Sequence, residues 1–216
     1  DTYLHPITRP FGTTEQMTRN IARLGLDAIV AGSDQVWRPR YTKGFLMNFF
    51  FDFLPEDSRV KRISYAASFG APDWEFSAEQ TRAAARLISL FDAVGVREDE
   101  AVAMCRDHLG AEAAHVLDPT LLLLPEDYVP VLSTAPREPH PGQVLSYVLD
   151  LTEDKVAVVK QLAAALSLGA FGTDGTPFPA AEGAAPGDKT VQGWLAAFHE
   201  AAFVVTDSFH GVAFSI

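Results

Sequence analysis

Cysteine is nearly absent from this chain: among 216 residues only Cys105 carries a thiol. That excludes an internal disulfide and a thiolate metal cluster, and a lone cysteine in an amphipathic helical stretch is read as packing. Basic charge is scarce too. Seventeen Lys and Arg face 28 Asp and Glu, for a net charge of −11, which argues against nucleic acid as a partner but not against a small anion held by local geometry. Long apolar runs are also missing: the longest, around 45–54, is interrupted by Asn48 and Asp52 and falls short of the ~20 residues of a membrane-spanning helix. The six histidines show no metal spacing, and neither a glycine-rich phosphate loop nor a Gly-x-Ser-x-Gly elbow occurs. No metal and no bound cofactor is therefore expected.

What is present is enough for a core, since 48% of the residues are apolar. With no targeting segment in view, a globular protein of cytoplasmic type is the expectation. The chain begins at Asp1 and stops within the apolar stretch after Gly211, so it reads as a fragment with both ends incomplete.

Short apolar runs alternate with helical spacing, the pattern of an α/β protein with parallel, doubly wound sheets and helices on both faces. Strands are expected at 27–32, 61–70, 93–97, 115–119, 143–150 and 203–206. Helices are expected at 14–24, 77–89, 98–109, 153–167 and 191–200, with Ser77 as a cap and Gly110 as a stop. A proline-rich stretch, 136–142, reads as a linker between an N-terminal domain, 1–135, and the start of a second, 143–216. The Gly-, Ala- and Pro-rich stretch 173–188 reads as a loop.

Polar clusters recur at the ends of these strands, where open parallel sheets place their ligands. The first holds Ser33, Asp34 and Gln35 after Gly32, as helix caps or as ligand contacts. The second, 64–70, gathers small residues around Ser68, suited to tight packing or to close approach of a ligand. Arg97 leaves a buried strand and can grip a carboxylate or phosphate with two parallel hydrogen bonds, or pair with Glu98, Asp99 or Glu100. Asp118 can orient a histidine or arginine, or form an Asp-Pro turn. His210 lies between Ser208 and Gly211 at a strand-to-helix junction and is the first candidate for chemistry. The amides of the helix that follows can hold an anion.

Taken in order, Gly32-Ser33-Asp34-Gln35-Val36-Trp37, Ile63-Ser64-Tyr65-Ala66-Ala67-Ser68-Phe69-Gly70, Val94-Gly95-Val96-Arg97-Glu98, Val116-Leu117-Asp118-Pro119-Thr120-Leu121 and Thr206-Asp207-Ser208-Phe209-His210-Gly211 resemble the polysaccharide pyruvyl transferase family, from about residue 29 to 216. The resemblance implies two Rossmann-like domains facing across a cleft, similar to the GT-B architecture. It implies transfer of a pyruvyl group from phosphoenolpyruvate, as donor substrate, to hydroxyls of a sugar or lipid-linked glycan, with room for peripheral association at the inner face of a membrane. By the same carry-over His210 matches a catalytic general acid, Arg97, Ser208, Phe209 and Gly211 fall at the donor, and Ser33, Asp34, Gln35, Ser68, Asp118 and Asp207 line the cleft. Some members carry arginine two residues before the histidine, where this chain has Ser208. Two other readings of the same scaffold are a glycosyltransferase using a sugar nucleotide, with His210 as base, and a noncatalytic glycan-binding or assembly module.

Overall fold

A computed structural model describes residues 6–135, 140–180 and 190–216. The chain folds as an α/β protein with two parallel sheets, and divides into two compact units, Asp1–Pro119 and Thr120–Ile216. Residues 136–139 of the proline-rich stretch 136–142, and residues 181–188 of the 173–188 stretch, lie outside the described residues.

The first unit opens with α1 (Thr14–Ile21), whose N-cap Thr13 accepts a hydrogen bond from the Gln16 amide. Its strands β1 (Ala28–Ala31), β2 (Lys61–Ala67), β3 (Ala93–Val96) and β4 (Ala114–His115) pair in parallel in the order β1-β2-β3-β4. The one-turn α2 (Pro39–Thr42) and a 3-10 turn at Leu46–Phe50 join β1 to β2. Next, α3 (Ala78–Ile88) joins β2 to β3, its start closed by a capping box between Ser77 and Gln80. Finally α4 (Asp99–Met104) runs on as a π-helical turn over Cys105–Leu109 and stops at Gly110, whose φ of 64° suits a glycine.

Because each strand lies beside its successor, right-handed crossovers bring these connections to one face of the sheet. Leu46, Phe50, Ala84, Leu87, Ile88, Met104 and Cys105 accordingly form a single cluster with Trp37, which stacks on Phe50 at 4.8 Å. The expected covering of both faces is not a property of this strand order. Cys105 is fully buried there, and burial pushes its thiol up to about 12. That agrees with packing, not nucleophilic use.

The second unit contains α5 (Pro125–Leu132), β5 (Val144–Tyr147), α6 (Glu153–Leu166), β6 (Ala170–Gly172), α7 (Val191–Glu200), β7 (Phe203–Thr206) and α8 (Phe209–Ala213). Its parallel sheet has the order β6-β5-β7. Here the direction reverses: the chain steps from β5 to one side and then crosses to the other, which sends α6 and α7 to opposite faces. Leu145 and Phe171, partners in the β5–β6 register, pack with Ala197 and Phe198 of α7. α5 and β6 lie outside the strands and helices expected from the sequence. Pro125 is compatible with a first helical position, where its missing N–H has no partner to lose, and β6 has only three residues, too few to show a period. No helix among the described residues is long and apolar enough to cross a membrane.

Candidate active site

In the first unit all four strands deliver polar side chains at their carboxyl ends. The chain leaves β1 at Gly32, with φ of 125°, where an added Cβ would sit 2.0 Å from the Tyr65 carbonyl oxygen; only glycine allows so close a pass. That pass is made over a bulge in β2. Ser64 faces Val94 and Ala67 faces Val96, so β2 spends one more residue than β3 over the same step. The extra residue leaves Ala66 buried in the left-handed region, at φ 53°. Ser64 repairs the broken ladder with its hydroxyl, which donates to the Gly95 carbonyl at 3.2 Å and accepts from the Gly95 amide at 3.1 Å.

Beyond the bulge the loops are laced together. The Ser68 amide donates to the Asp34 carbonyl at 3.0 Å, and the Trp37 amide donates to the Ser68 carbonyl at 3.1 Å. Arg97 sits at the centre with its side chain 7% exposed. Its Nη1 donates to Asp118 Oδ2 at 3.0 Å, its Nε donates to Glu98 Oε1 at 3.2 Å, and its Nη2 stands 3.9 Å from Asp34 Oδ1. Ser68, fully buried, donates to the same Glu98 oxygen at 2.5 Å and accepts from the Gly70 amide at 2.9 Å. Asp118 is sealed in, whereas Asp34 is 67% exposed. Of these three carboxylates, Asp118 and Glu98 are within hydrogen-bond distance of the guanidinium and Asp34 is not. Gln35 lies alongside, accepting from Arg38, which in turn makes a two-pronged pair with Glu75. Ser33, which precedes Asp34, is half-buried.

In the second unit the polar cluster follows β7. Ser208 is buried and caps α8: its Oγ accepts from the Gly211 amide at 3.3 Å, and its own amide donates to Thr206 Oγ1 at 3.0 Å. Gly211 is buried where an added Cβ would stand 2.0 Å from Thr206 Oγ1 and 2.9 Å from Tyr147 Cδ1. Glycine there lets α8 settle directly onto the ends of β5 and β7. Asp207 ties the same corner to the turn after β5, accepting from the Leu149 amide at 2.7 Å and from Lys155 Nζ at 2.6 Å. Lys155, followed by that amide, holds its carboxyl down to about 2. On this anchored turn the half-buried His210 has its ring edge-on to the exposed Phe209 at 5.3 Å. The histidine follows β7 beside β5, where the strand order reverses, the crevice in which open α/β sheets bind ligands.

The structure therefore gathers Asp34, Gln35, Ser68, Arg97 and Asp118 at one set of strand ends, and Asp207, Ser208, Phe209, His210 and Gly211 at another. Reading the sequence undervalued Glu98, which joins Ser68 to Arg97, and missed Lys155 and Tyr147, whose places depend on strand register. Among the described residues no group of His, Cys, Asp and Glu is arranged to hold a metal ion. The model of one protein family, polysaccharide pyruvyl transferase, matches residues 2–216. No curated protein and no solved structure matches the chain.

Proposed function

The chain belongs to the polysaccharide pyruvyl transferase family and is a transferase; from that premise we propose that it moves a pyruvyl group from phosphoenolpyruvate to hydroxyls of a sugar in a cell-surface polysaccharide, with His210 as general acid. The observation that carries this reading is the seat of His210, on a turn fixed by Ser208 and Gly211 at the reversal of strand order. A protonated imidazole there gives its proton to the methylene carbon of the donor, which makes C2 electrophilic. An acceptor hydroxyl adds to C2 and passes its proton back to the imidazole. Phosphate then leaves with the electron pair of its C2–O bond, and a second hydroxyl adds to the same carbon and gives its proton to the departing phosphate, which closes the ketal.

Phosphoenolpyruvate brings two acidic groups, so the donor needs fixed cationic and amide partners. Arg97 is the donor-binding cation of this proposal, and Glu98 and Asp118 hold its guanidinium in place. Ser208, Phe209 and Gly211 shape the donor site around His210. The two-domain, GT-B-like arrangement, a sugar or lipid-linked acceptor, and a cytoplasmic location at the inner face of a membrane belong to the same proposal.

The test is phosphate release from phosphoenolpyruvate in the presence of acceptor glycosides. Wild-type protein is expected to release phosphate only with acceptor, and His210→Ala to be slower by about 10²- to 10⁴-fold. Wild-type rates in His210→Ala, or turnover of a sugar nucleotide in place of phosphoenolpyruvate, would overturn the reading.

A further inference from the structure

Ser68 is fully buried, so its hydroxyl works on the side chains around it. Its backbone already ties two loops together, the amide donating to the Asp34 carbonyl and the carbonyl accepting from the Trp37 amide. The hydroxyl accepts from the Gly70 amide at 2.9 Å, and its one proton goes to Glu98 Oε1 at 2.5 Å. A hydroxyl donating to a carboxylate at that distance makes a strong, charge-assisted bond.

Glu98 uses this single oxygen twice. Oε1 also accepts from Arg97 Nε at 3.2 Å, whereas Oε2 is buried and has no hydrogen-bond partner among the described residues, an uncommon state for a buried polar atom. Every hydrogen bond that fixes this carboxylate therefore passes through Oε1. Of its two donors there, only Ser68 is independent of Arg97.

The Arg97 side chain is 7% exposed, with Nη1 on Asp118 Oδ2 at 3.0 Å. A guanidinium is planar, so one partner on Nη1 and another on Nε set both its place and the direction of its plane. Asp118 fixes the first and the Ser68–Glu98 link fixes the second. Without the serine hydroxyl, the Glu98 side chain, itself 35% exposed, turns toward water, where both oxygens find donors, and Nε loses its partner.

We propose that Ser68 is a positioning residue for donor binding: acting through Glu98, it sets the plane of the Arg97 guanidinium that receives an acidic group of phosphoenolpyruvate. The inference rests on the pyruvyl transferase reading and deepens it.

The experiment is calorimetric titration of the full chain with phosphoenolpyruvate in a double-mutant cycle. Ser68→Ala is expected to raise Kd about tenfold. Arg97→Lys keeps a charge between the carboxylates but has no Nε for Glu98 to hold, so adding Ser68→Ala to it is expected to change Kd by no more than about twofold. Ser68→Cys keeps the shape with a weaker donor and is expected to raise Kd about fivefold, which carries the test should Ser68→Ala not fold. In phosphate release with acceptor glycosides the loss is expected in KM for phosphoenolpyruvate. A substitution that only loosens the fold lowers the active fraction, which reduces kcat and leaves KM as it was. Wild-type affinity in the serine variants overturns the inference, as does a full tenfold loss from Ser68→Ala on top of Arg97→Lys, or a fall in kcat at unchanged KM. Phosphoenolpyruvate binding that ignores Ser68 leaves the donor reading standing, whereas no binding by the wild type removes both.

Discussion

Replacing Asp207 by asparagine should destabilise the second unit in a way that depends on pH. The carboxylate takes hydrogen bonds from Lys155 and from the Leu149 amide, and its pKa falls to about 2, against about 3.9 for an unstructured aspartate. At about 1.4 kcal/mol per unit the full depression corresponds to a ceiling of about 2.5 kcal/mol. The Asp207 side chain is 26% exposed and that of Lys155 39%, so solvent screening reduces that to roughly 1 kcal/mol. A carboxyl whose pKa is depressed on folding stabilises the protein above its unfolded value and loses that contribution as pH falls through the folded one. Asp207→Asn should therefore be less stable than wild type by about 1 kcal/mol at pH 7, with the gap narrowing below pH 4 and closing near pH 2. Urea melts followed through Trp194, the sole tryptophan of 120–216, measure it without added salt. A gap of equal size at pH 2 and pH 7, or none at pH 7, would refute the reasoning.

Three further outcomes follow from the packing. Gly211→Ala forces a methyl group against Thr206 and Tyr147 and should cost about 1–3 kcal/mol in thermal unfolding, with transfer falling at least tenfold as the His210 turn shifts. Asp118→Ala leaves Arg97 buried with one short carboxylate partner fewer, and urea denaturation should register a loss of about 3 kcal/mol. Cys105, with its thiol raised to about 12 by burial, should resist Ellman's reagent in the native protein at pH 8 and react at once in denaturing urea; prompt native labelling would contradict its place in the core.

The clearest signals in the sequence were those written locally. Ser77 capped α3, Gly110 stopped the helical stretch, and the apolar runs at 93–96 and 203–206 became strands, because caps, left-handed glycines and buried β-branched runs act over a few residues. The strand expected at 115–119 shrank to Ala114–His115, since Asp118 turns inward to Arg97 and Pro119 starts a 3-10 turn. Within the candidate site, the strand-end positions of Arg97, Asp118 and His210 were legible from the breaks in apolar runs. Their partners were not. Whether Arg97 meets Glu98, Asp118 or both, and which residues touch Gly211, depends on a bulge in β2 and on pairing between distant strands.

That distant pairing gives the order β6-β5-β7 a kinetic meaning. The central strand is made first in the chain, and its partner β7 arrives about sixty residues later, so closing that pair carries the largest loop entropy in the sheet. The histidine turn hangs from this last-delivered strand and is anchored to the turn after β5 through Asp207. A nascent or partly unfolded chain therefore has no fixed seat for His210: that corner is assembled only when the sheet is complete.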